Sequence, residues 1–170
     1  GEGYNLQISD GGNGNNISNS TKYVDLPFTF TFYGVPYDEI SVNANGWISF
    51  GHTNMESFRN YTIPGAGGPS PMVAAFWDDL TTQQGGGVYA LVNEDYVIIE
   101  WSQMRTYDQN SEETFQIILY DSVTPTGDDE IKIQYKEFNN TSYSNYNHPV
   151  YSTVGIENHL GNIGLEYTFD

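Results

Sequence analysis

Two adjacent carboxylates, Asp78 and Asp79, follow directly on the apolar run Ala74-Ala75-Phe76-Trp77. Carboxylate oxygens are hard donors, and a pair of them at the end of a strand is the beginning of a calcium ligand set. Two other acidic groups offer the same chemistry: Asp108 with Glu112 and Glu113, and Asp128 with Asp129 and Glu130. None of the three spells a complete calcium loop, and each also suits a strand end or a solvated turn. Calcium is the one cofactor the chain suggests, with Asp78 and Asp79 as its candidate ligands.

A second chemistry lies in the aromatic residues in or beside loops: Trp47, Tyr61, Tyr107, Tyr143, Tyr146 and Tyr151. Sugar rings pack their C–H faces on aromatic planes, while Asn, Asp and Gln bond the hydroxyls; the same mixture also suits a protein surface. The densest case is Asn139-Asn140-Thr141-Ser142-Tyr143-Ser144-Asn145-Tyr146-Asn147. The ligand-binding candidates are accordingly Tyr143, Tyr146 and Asn145, then Tyr107, Trp47 and Tyr61.

Catalytic patterns are thin. Glu100 and Glu157 sit within strands, and a carboxylate pair at the right separation performs glycoside hydrolysis. On strands such residues more often face solvent. His52, His148 and His159 fall in different loops, and no G-x-S-x-G elbow is present. Without cysteine there is no thiol nucleophile, disulfide or thiolate zinc site.

The charge balance narrows the partners. Five Lys+Arg stand against 22 Asp+Glu, a formal net charge of −17, and such a surface repels nucleic-acid phosphates and anionic lipid. Disorder, the other reading of an acidic chain, conflicts with 14 Tyr, 9 Phe and 3 Trp. No apolar run is long enough to span a membrane. The 170 residues suffice for one domain with a substantial core, with residues 1–21 as a flexible or edge-strand N-terminal segment.

The elements that must position these residues are strands. Phe28, Phe30 and Phe32 alternate with Thr29 and Thr31, and Pro27 is expected at that strand's start, where a missing N–H is tolerated. Asn45-Gly46 between two β-type runs predicts a hairpin. Met72 to Phe76 does not alternate and reads as a strand covered on both faces, which leaves Asp78 and Asp79 for a loop to present. Val97, Ile99 and Trp101 oppose Tyr96, Ile98 and Glu100. Tyr107 to Glu113 reads as a polar loop, Thr114 to Tyr120 as an interior strand, and Ile131, Ile133 and Tyr135 as one face of a half-exposed strand. His52 to Pro71, with Pro64 and Pro69, reads as a long connection. About ten short strands and essentially no helix predict an all-β fold, a two-sheet antiparallel β-sandwich of jelly-roll-like form.

Five of these pieces come in a familiar order: Pro27-Phe28-Thr29-Phe30-Thr31-Phe32-Tyr33-Gly34, Asn45-Gly46-Trp47-Ile48-Ser49-Phe50-Gly51, Ala74-Ala75-Phe76-Trp77-Asp78-Asp79-Leu80, Thr114-Phe115-Gln116-Ile117-Ile118-Leu119-Tyr120 and Thr153-Val154-Gly155-Ile156-Glu157-Asn158. Together they resemble a β-sandwich accessory module of large secreted bacterial proteins, found beside proteases and adhesin repeats. They are also similar to the nidogen-type extracellular domain. The resemblance implies a secreted or cell-surface module without catalytic residues, part of a larger multidomain chain. The expected function is binding or adhesion, toward polysaccharide or a cell-surface protein. The alternative is a structural subunit or repeat joined to its neighbours by strand addition, and glycoside hydrolysis is the third reading.

Overall fold

The computed structural model describes residues 3–12, 18–107, 111–140 and 152–169. Two six-stranded antiparallel sheets face each other. The chain supplies them as β1 (Tyr4–Asn5), β2 (Thr21–Phe32), β3 (Val35–Asn43), β4 (Trp47–Phe50), β5 (Met72–Trp77), β6 (Leu80–Thr81), β7 (Gly87–Asn93), β8 (Tyr96–Thr106), β9 (Glu112–Val123), β10 (Asp129–Glu137), β11 (Thr153–Glu157) and β12 (Gly164–Phe169). A single 3₁₀ turn, Gln83–Gly85, is the sole helical element among the described residues.

The first sheet runs β1-β7-β8-β9-β10, with β6 pairing β8; the second runs β12-β11-β5-β4-β3-β2. Consecutive strands are mostly neighbours, so each sheet is largely a meander, with β4 and β5 joined by the long connection 51–71. The alternation read from sequence holds: Phe30, Phe32, Val97, Ile99, Trp101, Phe115, Ile117 and Leu119 are buried between the sheets, with Phe28 half-buried against them. Stacked pairs Phe30–Phe50, Phe76–Phe115 and Trp101–Phe115 fill the interior with ring centroids 4.9, 5.6 and 5.1 Å apart. All six residues of β5 are buried, because this strand is covered on both faces.

Its second cover is the long connection 51–71, which lies over Trp47, Ile63, Met72, Ala74 and Trp77, a separate apolar cluster. Both the Trp47 and the Trp77 indole N–H donate to the Ser57 carbonyl, at 3.0 and 3.1 Å. The buried Glu157 carboxylate accepts the Gly65 N–H (2.9 Å) and the Ser70 hydroxyl (2.7 Å), and Glu166 accepts the Ile63 N–H. The proline-rich stretch is thus a fastened flap, not a free loop.

Two expectations are corrected. Pro27 stands in mid-strand: β2 and β3 lose register between Asp25 and Phe30, and Pro27 falls in that irregularity on an edge strand, where no ladder N–H is needed. The strand after the Tyr107 turn starts earlier than expected, at Glu112.

Candidate functional site

The Asp78–Asp79 pair is fixed by the β3–β4 turn. Gly46 has φ +81°, and a Cβ there would stand 1.8 Å from the Phe76 carbonyl oxygen, so only glycine fits. The Gly46 carbonyl accepts the N–H groups of Ala75 and Phe76, the Asn45 carbonyl accepts that of Asp78, and Asn45 Oδ1 accepts that of Leu80 at 2.9 Å. The Asn-Gly turn and the Trp-Asp-Asp segment are therefore one unit. Asp78 and Asp79 are buried, and Asp78 Oδ1 accepts the Asp79 N–H. This corrects the expectation that a loop presents them to solvent: the turn draws the segment inward instead.

Asp10 completes this end of the sandwich. It is 2% exposed; its Oδ1 accepts the Gly12 N–H, and its carbonyl accepts the Thr81 hydroxyl and the Thr82 N–H. Its Oδ2 and the Asn45 Nδ2 are buried without a hydrogen-bond partner among the described residues. Burial raises the Asp10 pKa to about 6, against the lowering pull of the Gly12 N–H and the nearby Asn45 amide. Among the described residues no group of three or more His, Asp or Glu is placed to hold a metal ion. Of the second acidic group, Glu112 pairs with Arg105 at 2.6 Å. Glu113 is fully buried and accepts the Ser111 hydroxyl and the N–H groups of Asn139 and Asn140. Burial raises its pKa too, opposed by those three bonds.

A different arrangement lies on the outer face of the first sheet. Cross-strand register places Asn5 opposite Tyr89, Tyr89 opposite Glu100, Glu100 opposite Gln116, and Gln116 opposite Gln134. One row thus crosses five of the sheet's six strands, from β1 to β10. Within it Gln134 Nε2 donates to Gln116 Oε1 at 2.6 Å, and Gln116 Nε2 donates to Glu100 Oε2 at 2.5 Å. Each planar group is fixed by the next, a device that pre-orients hydrogen-bonding edges. Glu100 Oε1 and Gln134 Oε1 take no part in these two bonds.

The row floors a cleft of about 330 Å³, lined by Glu100, Ser102, Gln103, Thr114, Gln116 and Gln134 among others. At its end the β8–β9 register shifts between Trp101 and Met104, and Gln103 adopts φ +52°. A bulge holding a non-glycine residue at positive φ re-aims a strand, and such strain concentrates at functional sites. Two residues to the side of the row, apolar Leu91, Ile98 and Ile118 align, and beyond them Tyr96 pairs Tyr120. Charge on this face shows no cationic excess: Glu100, Glu130 and Glu137 stand with Lys132 and Lys136, two of the chain's five cations.

A family model described as NIDO related matches residues 5–170. The chain belongs to the NIDO-related family. This bears out the resemblance to the nidogen-type domain, and it fits a non-catalytic extracellular module. No curated protein and no solved structure matches the chain. No helix among the described residues is long and apolar enough to cross a membrane.

In this NIDO-related domain the residues singled out from sequence are scattered. Trp47 is fully buried beneath the 51–71 flap, a correction to its reading as a binding platform: strand pairing and the flap cover its two faces. Tyr61 is 48% exposed and tilts over Trp77, and Tyr107 is 39% exposed beside Gly12. Tyr143, Asn145, Tyr146, Tyr151 and Asp108 lie outside the described residues. Glu100 and Glu157, weighed as a catalytic pair, belong to different sheets, and Glu157 is committed to the flap. Sequence reasoning missed Gln116 as the partner of Glu100, and Gln134 as the partner of Gln116. The available signal was a polar residue, Glu100, Gln116 or Gln134, within each of three consecutive strands.

Proposed function

We propose that this NIDO-related domain is an extracellular binding module whose recognition surface is the outer face of the first sheet, and that its ligand is a polysaccharide. The observation that supports this reading is the fixed row Glu100–Gln116–Gln134. Carboxylate and amide edges held in one line accept from and donate to ring hydroxyls, and Tyr89, Tyr96 and Tyr120 on the same face supply planes for C–H packing. Nothing in this row calls for bond cleavage: Glu100 has no second carboxylate across it, only Gln116 and Tyr89. The test is retention of the purified domain on a panel of immobilised polysaccharides. Parent protein should be retained on at least one, and Gln116→Ala, which breaks both ladder bonds, should be released from it while melting at the same temperature. Equal retention of parent and variant would move the ligand elsewhere.

One observation favours the assembly reading beside it. Strand β12 is an edge of the second sheet, and Leu165 and Tyr167 on it are 66% and 86% exposed. The opposite edge, β2, is interrupted by its Pro27 irregularity, whereas β12 is open to an added strand. Concentration-dependent association, abolished by Tyr167→Lys, is the corresponding measurement.

A further inference from the structure

We infer that the face takes an internal stretch of a linear, uncharged polysaccharide, laid across the strands along the Asn5–Tyr89–Glu100–Gln116–Gln134 row. This rests on the saccharide-binding reading above and goes beyond it in naming the ligand's form.

Three observations carry the inference. First, the cleft does not end at Glu100. A second depression of about 300 Å³ lies next to it, lined by Gly3, Tyr89, Leu91 and Ile98 and sharing Glu100 and Gln116 with the first. The two form one groove that crosses the sheet. Its row has four inter-strand gaps, about 19 Å at the usual strand spacing. A pyranose ring is about as long as one such gap, so the row offers roughly one polar position per sugar along an extended chain.

Second, the row is exposed at both ends. Asn5 at one end and Gln134 at the other are both exposed. A pocket for a chain terminus buries its end residues, and these two are exposed. The groove therefore lets the polymer run past both edges of the sheet.

Third, the face offers an anionic polymer no cationic excess. Glu100, Glu130 and Glu137 outnumber Lys132 and Lys136 there, on a molecule of net charge −17. A uronate or sulfated polymer would gain little from this face and would be repelled by the remainder of the surface. Because neighbouring strands rotate by roughly 20–25°, the row is twisted and follows a single solvated chain better than a flat crystalline surface.

The experiment is calorimetric titration of the domain with size-defined cello-, xylo- and manno-oligosaccharides, from disaccharide to octasaccharide. The corresponding soluble polymers and an alginate and a heparin series are run alongside. In one neutral series affinity should climb with each added sugar and then level off. Gln134→Ala, at the exposed end of the row, should cost the longest oligosaccharide about fivefold in affinity, the worth of one hydrogen-bonding partner, and the disaccharide almost nothing. Unchanged melting temperature shows that the variant is folded. A disaccharide bound as tightly as the octasaccharide would overturn the internal-chain inference and leave saccharide binding standing. Preference for alginate or heparin would overturn the uncharged class. Silence in every series, polymers included, would overturn the saccharide reading itself and direct the search for a partner to proteins.

Discussion

At the scale of single residues, the buried acid Asp10 makes stability depend on pH. Its folded pKa of about 6 lies above the ordinary value of 3.8 because burial penalises the charged form. The folded state therefore holds this proton more tightly than the unfolded chain does. Asp10 favours the fold below about pH 4, and that contribution is lost as pH rises to about 6, a swing on the order of 3 kcal/mol. Urea titrations of the parent and of Asp10→Asn across this range should give a difference that grows with pH, the parent becoming the less stable of the two. A flat difference would mean that Asp10 titrates normally. Packing acts at the same scale. Phe30 is fully buried and stacks on Phe50 at 4.9 Å, so Phe30→Ala should cost about 3–5 kcal/mol in denaturant titration.

At the scale of elements, the flap over β4 and β5 hangs on few bonds. Glu157→Ala leaves the Gly65 N–H and the Ser70 hydroxyl without their carboxylate, a loss of about 3 kcal/mol for two charge-assisted bonds. Hydrogen exchange should accelerate at Gly65 first, while the ladders of the first sheet stay protected. The elements themselves were largely legible in the sequence, for local reasons. Phe28, Phe30 and Phe32 alternate, Asn45-Gly46 can only turn, and the unbroken apolar run of β5 can only be covered on both faces. What stayed hidden was non-local. Glu100, Gln116 and Gln134 lie 16 and 18 residues apart in sequence, and they meet because two hairpins happen to have the register they do. Alternation tells which face a residue takes, but not which residue stands beside it. Trp47 and Asp78 failed for the same reason: nothing near them in sequence announces the flap over the one or the Asn45 carbonyl that holds the other.

At the scale of the whole molecule, the excess of 17 negative charges opposes compaction at all times. Raising sodium chloride from low to moderate concentration should therefore raise the melting temperature, because screening shortens the reach of that repulsion. A melting temperature independent of salt would mean that the carboxylates are spaced widely enough in the fold for self-repulsion to be negligible. The flap gives the same molecule an optical handle. Two of its three tryptophans, Trp47 and Trp77, donate to one carbonyl on the flap, whereas Trp101 donates to the Asn43 carbonyl inside the sandwich. Lifting the flap would wet the first two indoles and shift their emission to the red while the third stayed blue. Intrinsic fluorescence can therefore separate a partly opened domain from an unfolded one, with no added dye and no engineered label.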